Sequence, residues 1–215
     1  MQKSLQQYYL QQMGIETWVL RHDASQPSLQ ALALEVQSCT HCPLHKTRTQ
    51  TVFARGNPKA KLMIIGEAPG FHEDKQGLPF VGKAGNLLNK MLLSIGFTAE
   101  DVYIANVIKC RPPNNRDPKA EEIEACSTHL TQQIILVNPQ LILAVGRFAG
   151  QFLLNQFLPL NKMRHHVHHY QGKQVLVSYH PAYLLRNPKD KKKAYADLLN
   201  VRRLILAASC SNLSA

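Results

Sequence analysis

Four short apolar runs recur along the chain, at Leu62–Ile65, Val102–Ala105, Leu141–Val145 and Val175–Val177, each followed by loop or helix signals. Short runs rich in Val, Ile and Leu, without polar alternation, read as strands buried on both faces. Between them, Ala84–Ile95, Pro118–Val137 and Arg147–Phe157 have helical apolar spacing. Lys191–Ala208 closes the chain in the same way, with apolar positions at Tyr195, Leu198, Leu199 and Ile205. Strands alternating with helices predict an α/β fold, a three-layer α/β/α sandwich around roughly four parallel strands. Ahead of it, Leu29 to Val36 has helical spacing and leads into CTHCPLHKTR. Residues 1–28 stand apart as a polar, Gln-rich arm that ends in DASQPS and carries the only tryptophan, Trp18. The expected division is an arm at 1–28 and a domain at 29–215.

In such a sheet, ligands bind beyond the carboxyl ends of the strands. The segments placed there are GEAPG (Gly66–Gly70), Asn106, Gly146-Arg147 and SYHPAYLLR (Ser178–Arg186). GEAPG is a tight turn holding the carboxylate of Glu67, and its glycines let backbone approach a ligand closely. Phe80 lies in a loop among Gly77, Gly82 and Gly85, either as an inward anchor or as a stacking face for a planar ligand. Asn106 is either a turn former or a carboxamide able to read a base edge bidentately. His180 is locked by Pro181 and flanked by Tyr179, Tyr183 and Arg186.

Charge narrows the class of partner. Lys and Arg number 25 against 14 Asp and Glu, a net charge of +11. An excess of that size suggests a polyanion, with nucleic acid first and anionic lipid second. No stretch approaches the ~20 apolar residues of a membrane span, and the start has no signal-peptide pattern. A cytoplasmic protein with no membrane association is expected. The run Arg164–Tyr170 with its four histidines reads as a solvated loop and strand, and Lys189–Lys193 as a solvated helix start.

Five cysteines in such a chain are expected to be reduced thiols. Cys39 and Cys42 form a close pair, Cys110 and Cys126 lie downstream with 15 residues between them, and Cys210 sits alone. One close pair plus two distant residues suits a tetrahedral site for zinc or an iron–sulfur cluster. His41 and His45 are alternative zinc ligands.

Four motifs then occur in order: GEAPG, GLPFVGKAGNLL, NVIKCRPPNNRDP and HPAYLLR. With the four cysteines, this set resembles the family 4, iron–sulfur uracil-DNA glycosylases over roughly Leu32 to Ala208. The resemblance implies a monofunctional enzyme that flips uracil out of DNA and hydrolyses its N-glycosidic bond, leaving an abasic site for base excision repair. It also implies an α/β/α sandwich with a four-stranded parallel sheet. By the same resemblance, the backbone of Gly66, Ala68 and Gly70 touches uracil and Glu67 lies beside the reacting sugar. Glu73 helps hold the attacking water, Phe80 stacks on the flipped base, and Asn106 pairs with uracil O4 and N3–H. Asn115 supports the site and His180 faces uracil O2, while Arg186 and Lys83 contact the DNA backbone. Cys39, Cys42, Cys110 and Cys126 would ligate a 4Fe–4S cluster of structural role. The sequence departs from the family's usual acidic run after GEAPG by placing Phe71 and His72 there. Phe71 is the side chain put forward to exclude the thymine methyl.

Two other classes fit parts of the pattern. A non-catalytic nucleic-acid module with zinc on its cysteines accounts for the charge but not for Glu67, Asn106 and His180 converging at strand ends. Another base-excision or nucleotide-hydrolysing enzyme on the same sheet differs in substrate. The arm has its own resemblance: YLQQMGIETWVLR, Tyr9 to Arg21, looks like the N-terminal segment of the psi subunit of bacterial DNA polymerase III, which docks on the chi subunit of the clamp loader. That implies a bacterial, nucleoid-associated monomer with a replication partner.

Overall fold

Strand β2 (Leu62–Gly66) is buried along its whole length and forms the axis of the molecule. Its residues alternate between two cores. Met63 and Ile65 face one side with Tyr103, Ala105, Ile142, Ala144, Val175 and Val177. Leu62 and Ile64 face the other with Val102, Ile104, Leu141, Leu143, Val145 and Leu176. Full burial of one such side chain contributes roughly 1.5–3 kcal/mol. Both faces of the sheet are therefore apolar, which is why these strands read as unbroken apolar runs.

The computed structural model describes residues 12–14 and 28–211. Most of the arm expected at 1–28, including Trp18, and the side chain of Cys210 lie outside the described residues. Helix α1 (Leu29–Ser38) opens the described domain, with the Ser28 hydroxyl accepting the Ala31 N–H at its N-terminus. A short strand, β1 (Arg55–Gly56), precedes β2, and then come helices α2 (Phe71–Gln76) and α3 (Lys83–Leu93). Strand β3 (Val102–Asn106) leads to α4 (Ala120–Val137), and β4 (Leu141–Val145) to α5 (Arg147–Leu154) and α6 (Leu160–Met163). Strands β5 (His168–Tyr170) and β6 (Lys173–Ser178) lead to α7 (Pro181–Arg186) and α8 (Lys191–Ser211).

The sheet order is β1-β3-β2-β4-β6-β5. The four expected strands are its parallel centre, β3-β2-β4-β6. The sheet is wider than expected because β1 and β5 add antiparallel at its edges, giving six strands. α4 and α5 cover one face and α3 and α8 the other, which makes the three layers. From β2 the chain crosses to β3 on one side and later to β4 on the other, so a topological switch point lies above β2. No helix among the described residues is long and apolar enough to cross a membrane.

Candidate active site

The register of β2 and β3 sets Gly66 directly beside Asn106 at the strand ends. A Cβ on Gly66 would overlap Asn106 Oδ1 and stand 2.7 Å from Phe80 Cζ, so only glycine lets both side chains close over this strand. The next two backbone bonds continue the pairing past the strands, with Val107 N–H donating to Gly66 O at 2.9 Å and Ile108 N–H to Glu67 O at 3.2 Å. Asn106 is buried, and its Oδ1 has no hydrogen-bond partner. A buried acceptor left unpaired is costly unless a ligand completes it.

Phe80 is buried at φ +55°, a left-handed conformation uncommon for an aromatic residue. Arg55 and Gly85 hold it there. The Arg55 guanidinium donates to Pro79 O at 2.8 Å and to Asn89 Oδ1 at 2.9 Å. A Cβ on Gly85 would overlap the Phe80 carbonyl. The Phe80 ring lies 5.7 Å from the His180 ring, tilted by 32°.

His180 caps α7, its Nδ1 accepting the Ala182 N–H at 3.1 Å. Nδ1 is therefore unprotonated, and the neutral ring carries its hydrogen on Nε2. Burial, with the nearby charge of Arg186, lowers the imidazole pKa to about 4, so the ring is neutral at physiological pH. Gly146, at φ +101°, leaves room for the ring: a Cβ there would stand 3.1 Å from that of His180. The segment is fastened from beneath by Arg164, which donates to Asp197 at 2.8 and 2.9 Å and to Tyr179 Oη at 3.0 Å. Ser178 Oγ donates to the same carboxylate at 2.7 Å. Arg164 thus departs from the solvated loop expected at Arg164–Tyr170, because the Asp197 carboxylate satisfies it in the interior. The lysines of the Lys189–Lys193 run are exposed, as expected, while Asp190 among them accepts from Tyr183 Oη at 2.8 Å.

These elements enclose a cleft of about 480 Å³. Of the expected residues, Glu67, Ala68, Gly70, Glu73, Phe80, Asn106, Asn115, His180 and Arg186 line it together. Gly66 lies behind the wall formed by Phe80 and Asn106. Lys83 is outside the cleft, exposed at the start of α3. Phe71 does not line the cleft either: it is 46% exposed, with the cations of Lys75 and Arg111 over its ring at 4.5 and 5.1 Å. The expectation that it meets a ligand methyl group is therefore corrected. In its place, Glu73 reaches the wall, its carboxylate accepting the Gly82 N–H at 3.4 Å. Asn115, at φ +53°, is held by Arg111 Nε at 2.8 Å. Burial, reinforced by the like charge of Asp117 and opposed by Arg147, raises the Glu67 carboxyl pKa to about 7. Arg116 and Asp117 also line the cleft, and only the PPNNRDP string hinted at them.

A second cavity has a lining of its own. Cys39, Cys42, Cys110 and Cys126 all line it, with His41, His45, Arg48, Lys109 and His129. All four are free thiols. Ligand atoms of Cys39, His41 and His129 lie within 4.8 Å of one another. His129 is buried, neither ring nitrogen makes a hydrogen bond, and its Nδ1 lies 3.7 Å from the Glu35 carboxylate, while Arg48 Nη1 approaches Cys110 Sγ at 3.1 Å. Four thiols lining one cavity, with the ring nitrogens of His129 making no hydrogen bond, are a donor set suited to a thiophilic metal. The place of His129 in the wall of this cavity was not legible in the cysteine spacing.

Residues 53–200 match the family model of the uracil DNA glycosylase superfamily. The chain belongs to that superfamily. It is 45% identical to the type-4 uracil-DNA glycosylase of Archaeoglobus fulgidus over 82% of this chain and 93% of that protein. It is also 45% identical to the type-4 uracil-DNA glycosylase of Thermotoga maritima, over 76% of this chain and 86% of the relative. A type-5 uracil-DNA glycosylase of Thermus thermophilus is 32% identical over 58% of this chain and 66% of its own length. These matches put the superfamily member described here in the type-4 group.

Gly66→Ala tests the close approach at the centre of this site. Overpacking between Asn106 and Phe80 is expected to cost about 1–3 kcal/mol in urea denaturation, and a crystal structure of the variant is expected to show one of those side chains displaced. Unchanged stability with both side chains in place would contradict it.

Proposed function

We propose that this protein removes uracil from DNA and leaves an abasic site without cutting the strand. The observation that carries the reading is the unpartnered, buried Oδ1 of Asn106 beside Phe80 and His180 in one cleft of a type-4 superfamily member. A base extruded from the helix, at a cost of a few kcal/mol, enters the cleft and stacks on Phe80. Asn106 Oδ1 accepts uracil N3–H. Cytosine is rejected because its N3 carries a lone pair where uracil has a proton. His180 offers Nε2–H to uracil O2, stabilising the negative charge that gathers on the base as the C1′–N1 bond breaks. The Glu67 carboxylate favours the cationic sugar, and Glu73 helps orient the water. Water bonds to C1′ through its oxygen, and its proton balances the departing uracil anion. Arg186 and Lys83 meet phosphates, and the net charge of +11 makes binding salt-dependent.

The four cysteines fit a 4Fe–4S cluster, which would supply folding energy by stapling the end of α1 to the loop after β3 and to α4. The nearby Cys39, His41 and His129 atoms also suit zinc, so the colour of the protein decides between the two. The protein acts as a monomer in the bacterial cytoplasm. Residues 1–28 form an arm separate from the glycosylase domain of 29–215, and they tether it to a clamp-loader chi subunit through Trp18. The support for that tether is the resemblance of the arm to psi.

Wild-type protein is expected to release free uracil from a uracil-containing oligonucleotide, with strand scission only after alkali. Single-turnover release should rise with pH through about 7 as Glu67 ionises, and fall below that value. His180, neutral down to about pH 4, adds no second limb nearby. Glu67→Gln should lower the rate and flatten the profile. Intact uracil after excess enzyme, or a wild-type rate independent of pH between about 5 and 9, would count against this mechanism.

Cys126→Ala is expected to be colourless and poorly soluble while wild-type protein is brown, with absorbance near ~400 nm. A colourless wild type containing zinc would replace the cluster with a Cys/His site. For the arm, calorimetric titration of the full-length chain against a bacterial chi subunit should show binding that Trp18→Ala abolishes. Equal binding by the variant would remove the tether.

A further inference from the structure

Lys109 is the bulkiest of the fully buried side chains described, at 1% exposure, and the motifs read from the sequence assign it no role. Its ammonium donates to the backbone carbonyl of Asn106 at 2.7 Å and to Gln133 Oε1 at 2.5 Å. Gln133 is itself fully buried and commits its amide hydrogens to Tyr103 Oη at 3.1 Å and Phe53 O at 3.2 Å. Lys109 therefore hangs from a framework that spans β3, α4 and the segment before β1. The same side chain forms part of the wall of the cysteine cavity, beside Cys110 and Cys126.

A buried ammonium is retained at a cost, and a framework this specific constrains whatever it grips. Here it grips one peptide, the one leaving Asn106. On the other side of that peptide, Val107 N–H is held by Gly66 O, and the next N–H along, that of Ile108, by Glu67 O. The backbone from which the Asn106 carboxamide projects is thus fixed from both sides. We infer that Lys109 is a positioning residue for Asn106, holding its carbonyl from the cysteine side and so fixing where its carboxamide stands in the cleft wall. This rests on the uracil reading above, in which that oxygen accepts N3–H.

Lys109→Met keeps the length and removes the donors. In protein with wild-type absorbance and iron content, single-turnover uracil release should fall about tenfold or more, while KM for DNA changes by less than about twofold. The deciding measurement is a double-mutant cycle. Adding Lys109→Met to Asn106→Ala should cost no further rate, because the group it positions is already gone. Multiplied losses in the double variant, or a full rate in folded Lys109→Met, would overturn the assignment. If Lys109→Met does not fold, Gln133→Met removes the second anchor of the ammonium without touching the cysteine cavity, and the same cycle applies to it. Independently of activity, the Asn106 side-chain amide NMR signals should shift in the variant. Unmoved signals would refute the positioning role, whereas a wild type that releases no uracil would refute the function and leave that spectrum to judge Lys109.

Discussion

The candidate site depends on one absent methyl group. Gly66 ends the central strand, and two bulky side chains from different segments converge on the space its Cβ would fill. Asn106 arrives from the neighbouring strand through parallel pairing, and Phe80 through a loop forced into the left-handed region. Neither position is a local preference. An aromatic residue at positive φ is strained, and it persists because Arg55 and Gly85 fix the loop around it. The cleft is therefore built from close approach, and its dimensions are set by backbone rather than by flexible side chains. That suits recognition of a flat ligand, for which a small displacement of either wall matters.

Around this contact the protein spends buried charge on the strand ends. Arg164 and Asp197 secure the segment carrying His180, and Lys109 and Gln133 secure the one carrying Asn106. Both networks lie in the interior, where an ion pair or ammonium adds little net stability but defines a single arrangement of what it touches. They act on backbone or on neighbouring side chains and leave the cleft-facing groups unencumbered. Asn106 Oδ1 has no partner within the protein, and the His180 Nε2 hydrogen is free of the cap that engages Nδ1.

The parallel core was legible in the sequence because fully buried strands must be continuously apolar, and β2, β3, β4 and β6 are. The edge strands were not. Arg55–Gly56 and His168–Tyr170 are short, polar and half-exposed, and their pairing is decided by the strands already in place. Glu67, Asn106 and His180 could be singled out because strand ends are where such a sheet binds ligands. Lys109 and Arg164 could not, since a lysine or arginine reads as surface until its buried partner is known, and Gln133 and Asp197 lie 24 and 33 residues away. Phe71 misled for the opposite reason. An aromatic residue beside the turn suggests a wall, but two cations draw its ring to the surface.

The electrostatics of the cleft follow from the same burial. Desolvation disfavours charge of either sign, so it raises Glu67 to about 7 and lowers His180 to about 4. An acid and a base that would attract each other across an open site are thereby brought toward neutrality together. The surface outside remains strongly cationic, at +11 for the whole chain. A polyanion is drawn to such a surface, and at the cleft it meets Arg116 and Arg186 in the wall, whereas Glu67 and His180 are brought toward neutrality by burial. In the proposed reading, a neutral base gains stacking on Phe80 and a hydrogen bond to Asn106 there. In that reading, the exposed Arg186 meets the strand while the partly buried Glu67 and His180 face the base and its sugar, so burial sets apart the groups that carry the two tasks.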